Sequence, residues 1–155
     1  MSSLENNLNS QDHETPDLKQ LYSPGDIDHW QNPRNLGRLT RADGHAGGPG
    51  PCGDSIWMWI KVSGNKNHEV IDQATFISDV CIGAVSCGSA LTEMITGMEV
   101  QQAMQITAEM LREKLGGLPE REHHCADLAI KTLKDTIRDY HEKRAAGWKQ
   151  LYQQS

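Results

Sequence analysis

Aromatic residues make up only 5% of this 155-residue chain, with a single phenylalanine, and no apolar stretch approaches the roughly 20 residues that a membrane-crossing helix needs. The first residues lack the apolar run of a signal peptide. A cytoplasmic location without a membrane partner is the expectation. Runs of lysine or arginine are missing as well. The formal charge is −6, and half of it comes from residues 1–20, where Glu5, Asp12, Glu14 and Asp17 outnumber Lys19. Such a surface repels a phosphate backbone, so no nucleic-acid partner is expected and a basic protein fits better.

What remains is distributed unevenly. Residues 1–20 read as a disordered acidic extension, because they are rich in Asn, Ser and Asp and show no apolar periodicity. A domain over 21–146 and a C-terminal tail over 147–155 complete the expected division. Ser23-Pro24 announces a capped helical turn that Asn32-Pro33 must stop. Ala42 to Gly53 holds five glycines and two prolines, a composition that reads as a flexible surface loop unable to sustain a strand.

From Ser55 to Val62 the chain is β-branched and aromatic, Ser63 to Asn67 supply turn residues, and Glu69 to Ser78 resume the strand pattern. A hairpin follows from this. Trp57 and Trp59 share one face of its first strand and are expected to pack beneath helices. Helical spacing then recurs twice, through Ala90, Leu91, Met94, Ile95 and Met98, and through Val100, Ala103, Met104, Met110 and Leu111. After the Gly116 to Pro119 break, Leu128, Ala129, Leu133, Thr136, Ile137 and Tyr140 mark a long closing helix. The expected fold class is α+β: a small antiparallel sheet of about three strands, packed on one face by helices, with a long C-terminal helix.

There are four cysteines, and in a reducing compartment they point to metal binding or thiol chemistry more than to disulfides. Three occupy element ends: Cys52 before the first hairpin strand, Cys81 after the second, Cys125 at the opening of the last helix. Antiparallel pairing brings the first two together, and the last helix need only cross that end to add the third. Thiolates suit zinc or an iron-sulfur cluster, with Asp54 or His124 as a fourth ligand. A helix N-terminus helps a cysteine to deprotonate. Taken singly, each residue has a plainer reading. An isolated cysteine is commonly a small buried apolar group, and Asp54 alone is a turn residue. His123 is read as solvated, His45 and His68 as surface residues, and the methionines as core.

Four stretches together resemble one known family, the U-type iron-sulfur cluster assembly scaffolds related to the N-terminal domain of the nitrogen-fixation U protein. They are Tyr22 to Gly37 (YSPGDIDHWQNPRNLG), Cys52-Gly53-Asp54, Asp79 to Glu93 (DVCIGAVSCGSALTE) and Gly117 to Ala126 (GLPEREHHCA). The resemblance implies a labile [2Fe-2S] cluster, assembled from iron and from persulfide sulfur delivered by a cysteine desulfurase, then passed to recipient apo-proteins. It implies Cys52, Asp54, Cys81 and Cys125 as ligands with His124 as the competing fourth, Asp54 keeping the cluster labile. The protein would be a carrier and not an enzyme, and dimerisation around a shared cluster would suit it.

Cys87-Gly88-Ser89-Ala90 imitates the sequence that surrounds the second ligand in many family members. The step of five residues from Phe76 to Cys81 is nevertheless the family's usual one, so Cys81 is taken as the ligand and Cys87 as a packed thiol or secondary sulfur acceptor. Two departures stand out. Val80 and Ile82 replace the usual glycines beside Cys81. Leu118-Pro119-Glu120-Arg121-Glu122 stands where one branch carries its recruitment motif for a heat-shock chaperone, which puts that partner in doubt. Two other functions use the same residues: a zinc-binding sulfur acceptor, with Zn2+ in the cluster-free form, and a cysteine-nucleophile enzyme.

Overall fold

The computed structural model describes residues 17–51 and 53–153; residues 1–16, most of the expected extension, lie outside them, as does Cys52. Helix α1 (Leu18–Leu21) is one short turn, starting inside the segment set apart as extension. Helix α2 (Pro24–Gln31) begins with a capping box: the Ser23 hydroxyl accepts from Asp26 N–H at 3.0 Å and the Asp26 carboxylate accepts from Ser23 N–H at 3.1 Å. The stop at Asn32-Pro33 is as expected. The NPRN stretch beyond it has a structural task. Ser89 Oγ accepts from Arg34 N–H at 2.9 Å and lies 2.7 Å from His29 Nδ1, which anchors this segment to the helix carrying Ser89.

Strands β1 (Gly44–Pro49), β2 (Ser55–Asn65) and β3 (His68–Ser78) form an antiparallel sheet in the order β1-β2-β3. The hairpin is the expected one, with a bulge between Lys61 and Val62. The first strand corrects the reading of the glycine segment as a loop: Gly44 pairs with Ile60 and the register continues to Pro49 opposite Ser55. Glycine serves close packing here more than flexibility. A Cβ on Gly44 would come within 2.7 Å of the Thr136 carbonyl, and one on Gly47 within 2.3 Å of the Ile56 carbonyl. As the edge strand, β1 also tolerates Pro49. Its His45 N–H donates to the Asp139 carboxylate at 2.9 Å.

Helices α3 (Ile82–Ile95), α4 (Val100–Ala103) and α5 (Ala108–Leu115) follow. The second of the two expected helices is thus split. The Thr107 hydroxyl accepts from Met110 N–H and starts a new helix, α5. After a 3₁₀ turn over Glu120–Glu122, helix α6 (His123–Gln153) closes the chain and continues through most of the stretch set apart as a tail. No helix among the described residues is long and apolar enough to cross a membrane.

The helices cover one sheet face. Ile56, Met58, Ile60, Ile71 and Phe76 are fully buried there, together with Leu91, Ile95, Leu111, Leu115, Leu133 and Ile137. Trp57 and Trp59 therefore alternate onto the opposite face, and Trp57 is 38% exposed. The expectation that they lie beneath helices fails because period two gives β2 two faces, and the smaller aliphatic set took the covered one.

Candidate metal centre

Three elements end at one edge of the sheet and bring their chemistry with them. Ile56 at the start of β2 stands opposite Ser78 at the end of β3. Next to that pair, Ser55 N–H donates to the Asp79 carboxylate at 2.6 Å and Asp79 N–H to the Ser55 carbonyl at 3.2 Å. Asp54 and Cys81 flank this knot. Cys81 is the N-cap of α3, its sulfur accepting from Ala84 N–H at 3.4 Å. Cys125, in the first turn of α6, arrives from above and is buried.

One ligand atom each from Asp54, Cys81 and Cys125 lie within 4.8 Å of one another. The Cys81 thiol is 3.8 Å from Asp54 Oδ1, and the Cys125 thiol 3.6 Å from Oδ2. His124 Nε2 contacts the same Oδ2 at 2.6 Å and Cys125 Sγ at 3.5 Å. Sequence reasoning placed all four residues here. The fifth, Cys52, falls outside the described residues.

The two thiols differ in acidity. The hydrogen bond from Cys125 stabilises the Cys81 thiolate and outweighs burial; with help from Ala84 N–H it lowers the Cys81 thiol to about 7. The same bond, with burial, pushes Cys125 up. Cys87 is elsewhere: it is fully buried in the core, and burial pushes its thiol up. Those surroundings fit a packed thiol. His123, read as solvated, instead places Nε2 2.9 Å from the Leu118 carbonyl, because the 3₁₀ turn before α6 folds that carbonyl back onto it. His45 and His68 are at the surface, beside Asp139 and Glu99.

Three features were missed in the sequence. Gly83 lets Cys125 approach α3, since a Cβ there would meet Cys125 Sγ at 2.9 Å. Tyr22 donates its hydroxyl to Glu122 Oε1 at 2.8 Å. The placement of Glu122 three residues before Cys125, on one helical side, was the available signal. A cavity of about 250 Å³ opens beside the site, walled by Gly50, Pro51, Asp54, His124 and Leu128.

Two soft sulfurs and a carboxylate within reach of one ion, with an imidazole tied to that carboxylate, are donors for a transition metal. A single-nucleophile enzyme would need one such cysteine, and here two face one carboxylate. Comparisons with known proteins point the same way. The model of the NifU-like N-terminal domain matches residues 21–147. The iron-sulfur cluster assembly scaffold protein IscU 1 of Archaeoglobus fulgidus is 39% identical over 124 residues, which is 79% of this chain and 78% of that protein. The corresponding Aquifex aeolicus protein is 40% identical over 121 residues, 77% of this chain and 75% of its own. The iron sulfur cluster assembly protein 2 of Saccharomyces cerevisiae mitochondria is 35% identical over 136 residues, 85% of either chain. The crystal structure of a nitrogen-fixing NifU-like protein (N-terminal) from Brucella abortus shares the fold, with a TM-score of 0.60 at 16% identity over 81% of this chain and 98% of that one. With the motifs, the α+β architecture and the match over residues 21–147 in agreement, this chain belongs to the NifU-like N-terminal domain family.

Proposed function

We propose that this protein is a scaffold on which a labile [2Fe-2S] cluster is assembled and from which it is handed to apo-proteins. The observation that carries this reading is the meeting of Asp54, Cys81 and Cys125 ligand atoms within 4.8 Å at the sheet edge. Relatives at 35–40% identity over most of their length are named as iron-sulfur cluster assembly proteins, which supports it. Iron and sulfur are cargo here, and the protein is a carrier without a turnover reaction of its own. Its partners are a cysteine desulfurase and the recipients, in the cytoplasm, and a second copy of the chain can share the cluster.

Cys81 is the acceptor of sulfur, since its thiol is lowered to about 7 and it is the less buried of the pair. Its thiolate attacks the outer sulfur of the donor's persulfide. A new sulfur-sulfur bond forms at Cys81 while the donor's own bond breaks and its thiolate leaves. Two electrons from a reductant then release the sulfur as sulfide to iron held by Cys52, Asp54, Cys81 and Cys125. His124 stands as the alternative to Asp54. A hard carboxylate oxygen among thiolates weakens the hold on the finished cluster, and ready release is what a carrier needs. Cys87 is too deeply packed to be the primary acceptor.

Anaerobic reconstitution with iron and sulfide, followed by visible absorption and metal and sulfide analysis, tests the reading. Wild type and Cys87→Ala are expected to turn brown with matching iron and sulfide, and Cys81→Ala to stay pale. A colourless wild type holding stoichiometric zinc that never reconstitutes would replace it by the zinc-binding sulfur-acceptor reading.

A further inference from the structure

The approach to α6 carries a carboxylate that the centre described above leaves unused. Glu122 precedes Cys125 by three residues, so the two side chains leave the chain on the same side. Both lie over Gly83. A methyl group on that glycine would stand 2.9 Å from Cys125 Sγ, 3.2 Å from Glu122 Cβ and 3.3 Å from the Glu122 carboxyl carbon. The missing Cβ makes room for sulfur and carboxylate together.

The two oxygens of Glu122 differ in their surroundings. Oε1 accepts the Tyr22 hydroxyl at 2.8 Å, whereas Oε2 is buried and has no hydrogen-bond partner. A bare buried carboxylate oxygen is unfavourable, and native structures keep one only where an ion, a water or a function explains it. Its neighbourhood sharpens the point. Asp26 is completely buried, its Oδ1 also lacks a partner, and the Glu122 charge acts on it unfavourably in addition to burial. Arg121 is near, but it interacts with the Tyr22 hydroxyl.

We propose that Glu122 is a further oxygen ligand for the divalent metal ion gathered by Asp54, Cys81 and Cys125, and that Tyr22 holds it aside until the ion arrives. The inference rests on reading that constellation as a metal centre. A ferrous ion enters wearing water, and hard carboxylate oxygens replace water more readily than sulfur does. Glu122 stands outside the 4.8 Å set of Asp54, Cys81 and Cys125, so it reaches the ion by leaving Tyr22, and the ion lands on oxygen first and settles on sulfur later. Each exchange forms one metal-ligand bond and releases one water or one carboxylate, and Glu122 returns to Tyr22 when sulfide takes its place.

The test is an anaerobic titration of the reduced, metal-free chain with Co2+ as a stand-in for Fe2+, without sulfide. Affinity and the visible d–d bands, whose intensity reports ligand number, are read for wild type, Glu122→Gln and Tyr22→Phe, with melting temperatures alongside. Glu122→Gln is expected to bind Co2+ at least about tenfold more weakly and to show stronger bands of a lower-coordinate ion. Tyr22→Phe, which frees the carboxylate, is expected to bind at least as tightly as wild type. Unchanged affinity and spectrum in Glu122→Gln would overturn the proposal. So would equal weakening in both variants, which would mean that the pair only braces the start of α6. Cluster reconstitution separates this from the scaffold reading. A wild type that binds Co2+ through Glu122 but never forms a cluster removes the scaffold and leaves Glu122. One that reconstitutes while Glu122→Gln binds Co2+ normally removes Glu122 alone.

Discussion

His124 Nε2 and Asp54 Oδ2 stand 2.6 Å apart, so the nitrogen that would ligate a metal from this side is tied to the carboxylate that competes with it. In the proposed scaffold this one contact would set the choice of fourth ligand. Removing the carboxylate frees the imidazole, a softer donor that suits iron beside sulfur. Asp54→Ala is therefore expected to hold its cluster several times longer against a chelator, followed by loss of visible absorption. A variant that lost the cluster faster than wild type would contradict the assigned role of Asp54.

Cys81 should show its lowered thiol in its chemistry. Thiolate is the reactive form, so alkylation of the metal-free chain at Cys81 should rise with pH through a midpoint near 7 before it levels off. Peptide-resolved mass spectrometry reads the rate. In Cys125→Ala, which loses the hydrogen bond responsible, the midpoint should move up toward the ordinary cysteine value of ~8.5. Cys87, fully buried, should stay unmodified in the native protein throughout.

Gly83→Ala should separate site from fold. In a helix, alanine is favoured over glycine by up to about 1 kcal/mol, while its Cβ would stand 2.9 Å from Cys125 Sγ. These effects offset one another in stability but not at the centre. The melting temperature is expected to change little while Co2+ affinity falls. Equal affinity would show that Cys125 can retreat without loss.

The two faces of β2 give a plain comparison. Met58→Ala removes a fully buried side chain and should cost about 2–5 kcal/mol in denaturant unfolding. Trp57→Ala, on the uncovered face and 38% exposed, should cost less despite removing the larger group. The reverse order would mean that the tryptophan face is covered.

Periodicity and turn chemistry made the hairpin, the capped helix α2 and the long α6 legible, because each is decided by neighbours in sequence. The nearness of Asp54 and Cys81 was legible for a related reason, since antiparallel pairing fixes which ends of two strands are neighbours, whereas His124 and Cys125 were placed there by the family motifs and by supposing that the last helix crosses that end. Strand β1 was not, since the glycines of Gly44–Pro49 carry no side-chain pattern and their use appears only once Thr136 and Ile56 press against them. The faces of Trp57 and Trp59 escaped as well. Period two says that they share a side, and only the helices decide which side is covered. Glu122 entered the sequence reading only as the end of Leu118-Pro119-Glu120-Arg121-Glu122, and its place between Gly83 and Tyr22 shows only in the fold.

Asp54 and Cys81 are 27 residues apart in the chain, and Asp54 and Cys125 are 71 apart, yet one ion can tie all three. Such an ion is a rivet through a strand end, a helix cap and the first turn of another helix. Fitted, it couples their movements; withdrawn, it leaves each to move with its own element. Full and empty forms then differ in stiffness at this one end.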